Sequence, residues 1–167
     1  MKVLTQQQVN FYNQKGYILV DNVLSKEEIS ELSDVTDTFV EKSRSVTENN
    51  EDFVLEPEYT AENPKLRRLK SPEHQHKVYE NALTNKNILD IVEDLIGPNI
   101  RSHGSKLNMK APGGGSSVEW HTDWGFYPHT NDDILEVGIP LDDMEIENGC
   151  LHAIPGSHKW NEISHHE

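Results

Sequence analysis

Residues 120–159 read WHTDWGFYPHTNDDILEVGIPLDDMEIENGCLHAIPGSHK, and the fold turns on how this stretch is read. Apolar and polar residues alternate over Val118–Trp124 and again over Leu135–Leu141 and Cys150–Ile154. A period of two predicts strands. Asn148-Gly149 and Pro155-Gly156 are turn signals between or after them. On a strand, residues two apart share a face. His121 and Asp123 would then point one way, and Trp120, Thr122 and Trp124 the other. A His-x-Asp pair alone is a weak signal, because a strand histidine often does no more than hydrogen-bond a nearby carboxylate. As metal ligands the two would supply two donors of the 2-His-1-carboxylate face that holds non-haem Fe(II), with one more His needed from elsewhere.

Upstream of this stretch lies a flexible loop, Ala111-Pro-Gly-Gly-Gly-Ser-Ser117, preceded by strand-like alternation over Ile100–Lys110. Before Gly97-Pro98, a helix stop, the texture is helical. Thr5 with Gln8, and Ser25 with Glu28, have the spacing of capping boxes at two helix starts. Ile29, Leu32, Val35, Phe39 and Val40 recur at helical spacing, as do Ile88, Leu89, Val92, Leu95 and Ile96 behind a cap at Asn85. Tyr17–Val20 reads as a strand, Ser43–Asn63 as a polar loop, and His76–Leu83 as a helix. Leu66 and Leu69 begin a short ordered piece. Helices followed by strands predict an α+β chain of one domain, with residues 1–98 mainly helical and residues 99–167 forming strands.

The chain has 167 residues, with Asp+Glu 29 against Lys+Arg 15 and a formal net charge of -14. Such a surface repels a phosphate backbone, so no nucleic-acid partner is expected. The Lys65, Arg67, Arg68, Lys70 cluster is a local exception. With one cysteine, Cys150, no internal disulfide can form, which suits a reducing compartment. Cys150 itself reads as a small core residue. The opening MKVLTQQQVNFYNQ lacks the apolar run of a signal peptide, and no stretch has the length of a membrane span. The expectation is a cytoplasmic protein with no membrane partner.

Several pieces occur together in one order: Gly97-Pro-Asn-Ile100, Ser105-Lys-Leu-Asn-Met-Lys110, Glu119-Trp-His-Thr-Asp-Trp124, Tyr127-Pro-His-Thr-Asn-Asp-Asp133, Glu147-Asn-Gly-Cys-Leu151 and Ile154-Pro-Gly-Ser-His-Lys159. This series resembles the phytanoyl-CoA dioxygenase family of Fe(II)- and 2-oxoglutarate-dependent oxygenases. The resemblance implies a double-stranded β-helix, the jelly-roll or cupin-like barrel, after the N-terminal helices. It implies that His121 and Asp123 are iron ligands and that Lys106, with a basic residue near Lys70, lies beside 2-oxoglutarate. A lysine there makes a charge-assisted hydrogen bond to a dicarboxylate. It implies that Trp124, Tyr127 and His129 border a pocket for a small-molecule substrate, with O2 as oxidant. Thr122 stands where the family often has Gln, and Asp123 favours hydroxylation over halogenation.

The family's third ligand, a His, and its 2-oxoglutarate-anchoring Arg lie downstream of the Pro-Gly-Ser-His-Lys turn and have no counterpart here. The 69 residues from Asn99 onward are also fewer than the roughly 90 that an eight-stranded jelly roll needs. The expectation is therefore a barrel cut short, a fragment that binds iron weakly through two ligands and does not turn over. Two other readings stand beside it: a non-catalytic jelly-roll binding module or pseudo-enzyme, and a half barrel completed by a second copy. The acidic surface argues against phytanoyl-CoA itself as substrate.

Overall fold

The computed structural model describes residues 1–126, 131 and 133–160. Thr5 caps α1 (Gln6–Lys15), and Ser25 caps α2 (Lys26–Ser43); both form complete capping boxes, with the side chain at the third helical position bonding back to the cap. α1 ends at Gly16, whose φ of 83° lies in the left-handed region that glycine reaches at little cost. Tyr17–Val20, expected as a strand, makes no ladder. Leu19 is 86% exposed, and with no neighbouring strand an apolar run has nothing to pair with.

Within Ser43–Asn63, expected as loop, the chain forms β1 (Phe53–Leu55). It pairs antiparallel with β2 (Leu66–Lys70), with an irregularity between Val54 and Leu55. Charged and apolar residues mix along LRRLK, but both leucines turn inward: Leu66 is 2% exposed and Leu69 0%. Three helices follow: α3 (Pro72–Gln75), α4 (Lys77–Leu83) and α5 (Lys86–Ile96). Asn85 caps α5 through its side-chain oxygen, as expected. Of the alternating run Ile100–Lys110, only β3 (Lys106–Asn108) enters the sheet, antiparallel to β2, giving the order β1-β2-β3.

The core forms where α2 and α4 cover this sheet. Leu32 and Phe39, two helical turns apart on α2, pack with Phe53, Leu66, Leu69, Val78 and Tyr79. Thr36 and Tyr79 share a hydroxyl hydrogen bond of 2.9 Å inside it. α5 packs on α1, burying Ile88 and Val92. The Asp94 carboxylate of α5 accepts the backbone N–H groups of Lys2, Val3 and Leu4 at 2.6–2.8 Å. Those bonds, offset in part by burial, hold its carboxyl down to about 2.

After β3 the chain lies over this body with little regular structure. The strands expected over Val118–Trp124, Leu135–Leu141 and Cys150–Ile154 are absent; short 3-10 turns occur at Asp123–Gly125, Ile146–Asn148 and Ser157–Lys159. Alternation supplies a face but no partner, and an extended segment without a neighbour has no ladder to join. Cys150 is half-buried and stands outside the core cluster. The Pro155-Gly156 turn is present and docks on the end of α1: the Gly156 N–H donates to Lys15 O at 2.8 Å, and the His158 Nε2–H donates to Asn13 O at 3.1 Å. His158 lies so close to Gly16 that a Cβ there would stand 2.3 Å from its Nδ1.

Candidate active site

The pair at 121 and 123 converges without a strand. Thr122 is extended, the chain turns at Asp123, and Asp123 Oδ1 lies 3.7 Å from His121 Nε2. His121 Nδ1 is 2.7 Å from the carbonyl of Glu119. A carbonyl oxygen only accepts, so Nδ1 carries the proton, and in the neutral ring Nε2 is left with its lone pair towards Asp123. Metal-binding histidines are typically held this way, the second nitrogen donating to a carbonyl or carboxylate. Donors about 2.0–2.2 Å from a shared divalent metal stand at most about 4.4 Å apart, so 3.7 Å is a fitting separation. The Phe126 ring meets the imidazole edge-on, centroids 5.5 Å apart.

Lys106 reaches the same place from β3. Its ammonium is 3.9 Å from Asp123 Oδ1 and 3.4 Å from Glu136 Oε1. Side-chain exposure of 24% for Lys106, 29% for Asp123 and 30% for His121 makes this a partly screened cluster. Sequence reasoning missed Glu136, whose place in an alternating run gave no cue to it.

Lys70 is the β2 partner of Lys106 in the ladder, and directly opposed residues share a sheet face. Its ammonium, however, donates to Asn50 O at 2.8 Å. The two lysines are thus brought to adjacent strands, with Lys106 alone shown against the His121–Asp123 pair. Trp124 Nε1 donates to Asn131 O at 3.3 Å; Tyr127 and His129 lie outside the described residues. Among the described residues no group of three or more His, Cys, Asp or Glu is placed to hold a metal, and no helix is long and apolar enough to cross a membrane.

β3 thus presents Lys106 to the His121–Asp123 pair at the edge of a helix-covered sheet. The model of the phytanoyl-CoA dioxygenase (PhyH) family matches residues 12–167, and the chain belongs to that family. It is 35% identical over 154 residues to a probable alpha-ketoglutarate-dependent hypophosphite dioxygenase of Stutzerimonas stutzeri, covering 92% of this chain and 54% of that protein. To the L-proline trans-4-hydroxylase of Streptomyces griseoviridis it is 35% identical over 74 residues, 42% of this chain and 28% of that one. To the human peroxisomal phytanoyl-CoA dioxygenase it is 23% identical, covering 94% and 48%. The fold resembles a crystal structure of EctD from S. alaskensis with bound Fe, with a TM-score of 0.64 and 20% identity over 74% of this chain and 42% of that chain. The chain spans about half the length of the relatives it matches along most of its own length.

Proposed function

We propose that this chain carries the first part of an Fe(II)- and 2-oxoglutarate-dependent dioxygenase that hydroxylates a small organic substrate. The observation that carries the reading is His121 Nε2 facing Asp123 at 3.7 Å while Nδ1 is tied to a carbonyl. In this reading His121 and Asp123 hold the iron. Lys106, whose ammonium already lies near one carboxylate of the pair and one of Glu136, binds a carboxylate of 2-oxoglutarate. Lys70, opposite it on β2, adds positive charge on the same face. Trp124, Tyr127 and His129 border the substrate. Iron with 2-oxoglutarate supplies an O2-driven oxidation coupled to decarboxylation to succinate. The protein's own work is to hold the imidazole in the Nδ1–H form and to keep the carboxylate beside it, with the Phe126 ring edge-on against the imidazole.

In this reading the frame of the site is the double-stranded β-helix that the family resemblance implies. The single cysteine suits a cytoplasmic setting. Relatives named for hypophosphite, proline and phytanoyl-CoA act on very different molecules. A net charge of -14 favours a small substrate over a CoA thioester with its phosphates.

The test is binding of 2-oxoglutarate with and without Fe(II), alongside succinate release with ascorbate and O2. Weak 2-oxoglutarate binding that requires Fe(II) and drops in Lys106→Ala, with no succinate from these 167 residues alone, is the expected result. Clear turnover would overturn the two-donor account, and 2-oxoglutarate binding indifferent to iron would overturn the role given to the pair.

A further inference from the structure

Glu56, the first residue after β1, is 4% exposed. A carboxylate so deep needs hydrogen-bond partners. Its backbone is pinned to the body of the fold: its N–H donates to Lys65 O at 2.9 Å, and its carbonyl accepts from Tyr59 N at 3.0 Å. Its side chain reaches 60 residues ahead to the glycine-rich loop. There Oε1 accepts the Ser116 N–H at 3.0 Å and Oε2 accepts the Ser116 hydroxyl at 2.5 Å. Burial pushes the carboxyl up, but the two Ser116 bonds, with Arg67 and Lys110 nearby, outweigh it and hold the group below its ordinary 4.5. The charged form is therefore the one the fold keeps.

The loop continues from Ser116 through Glu119, whose carbonyl fixes the imidazole, to His121 and Asp123. One end of this segment is thus fastened to the edge of the packed core, near Phe53 and Leu66, and the other carries the candidate ligands. We propose that Glu56 is a positioning residue, which through Ser116 fixes the segment bearing His121 and Asp123 and so pre-orients that pair for a divalent metal. The proposal rests on the reading of the pair as metal ligands. Glu56 touches neither residue in this role and acts only through the loop.

The test uses the full chain as wild type, Glu56→Ala, Glu56→Gln and Ser116→Ala. Two readouts are taken: amide hydrogen exchange of the metal-free protein, and the Kd for Mn(II) as an iron substitute. In Glu56→Ala, exchange should rise across residues 116–123 and stay at the wild-type level in α2 and α4. Mn(II) binding should weaken about 10-fold. Glu56→Gln keeps an acceptor for the Ser116 N–H and should recover most of both. Ser116→Ala removes only the hydroxyl bond, at a half-buried site, and should move both readouts part of the way; it also guards against a Glu56→Ala protein that does not fold. Unchanged exchange at 116–123 in the alanine variants overturns the proposal whether or not metal binds. Raised exchange with unchanged Mn(II) affinity overturns the positioning role and leaves only a structural anchor. A wild type that binds no Mn(II) overturns the metal reading itself, and the proposed role falls with it.

Discussion

Leu69 on β2 is 0% exposed, and Leu151 in the C-terminal stretch is 83% exposed. The contrast runs the length of the molecule. Every buried apolar residue among those described lies between Leu4 and Val92, while Val118, Trp120, Phe126, Val137, Met144, Ile146, Leu151, Ile154 and Trp160 are all exposed large hydrophobics. The first region has α2 and α4 laid over a small sheet and α1 packed on α5, so each apolar stripe meets another. The second carries strand-like alternation, and beyond Met109 only Leu141 of its described residues packs against the core cluster. Its fastenings are local ones: Ser116 on Glu56, Lys106 beside Asp123 and Glu136, and the Gly156–His158 turn on the end of α1. A pattern of alternation therefore says which residues could face a core, and only a neighbouring strand makes them do so.

The contrast breaks most severely if the core is opened. Leu69→Ala leaves a cavity at the centre of the cluster and should cost about 2–5 kcal/mol of unfolding free energy, read by urea titration. A loss below about 1 kcal/mol would mean that the first region is not the packed one.

Next in size is the seam between the regions. Gly16→Ala forces an alanine into φ 83° and sets its Cβ 2.3 Å from His158 Nδ1. A loss of about 1–3 kcal/mol is expected, with Trp160 fluorescence changing as the turn lifts off α1.

A smaller effect belongs to pH and to the first region alone. The folded Asp94 carboxyl sits below its ordinary 3.8, at about 2. Its contribution is thus fully present above 3.8 and is lost as pH falls towards 2. Urea midpoints of the wild type should fall through that window more steeply than those of Asp94→Asn; parallel curves would remove Asp94 as the clasp of residues 2–4.

The smallest effect should come from the second region. Leu151→Ala or Ile146→Ala removes apolar surface that is already in water and should change stability by no more than about 0.5 kcal/mol. A loss of core size at either position would show that the second region has a packing partner in solution.

Much of the first region was legible in the sequence because its signals are local. Thr5, Ser25 and Asn85 cap the helices they were expected to cap, since a cap needs only residues three positions away. The stripe from Leu32 to Phe39 was readable for the same reason. β1 was missed because Phe53-Val-Leu55 is short and sits among acidic residues; its pairing with β2 is fixed by tertiary contact. The strands expected after β3 failed in the opposite direction, having the right period and no partner. At the site, the motif singled out His121 and Asp123 and family resemblance singled out Lys106, and the structure brings the three together. Glu136 and Glu56 were not, because what each does depends on a partner far away in sequence that no spacing rule reaches.

The most direct measurement of the central claim is thermal unfolding with increasing Fe(II) under anaerobic conditions, for the wild type, His121→Ala and Asp123→Ala. A ligand that binds only the folded state raises Tm with its concentration. The account predicts a concentration-dependent rise in the wild type that both variants lose. A wild type whose Tm is indifferent to Fe(II), or variants that respond as the wild type does, would contradict it.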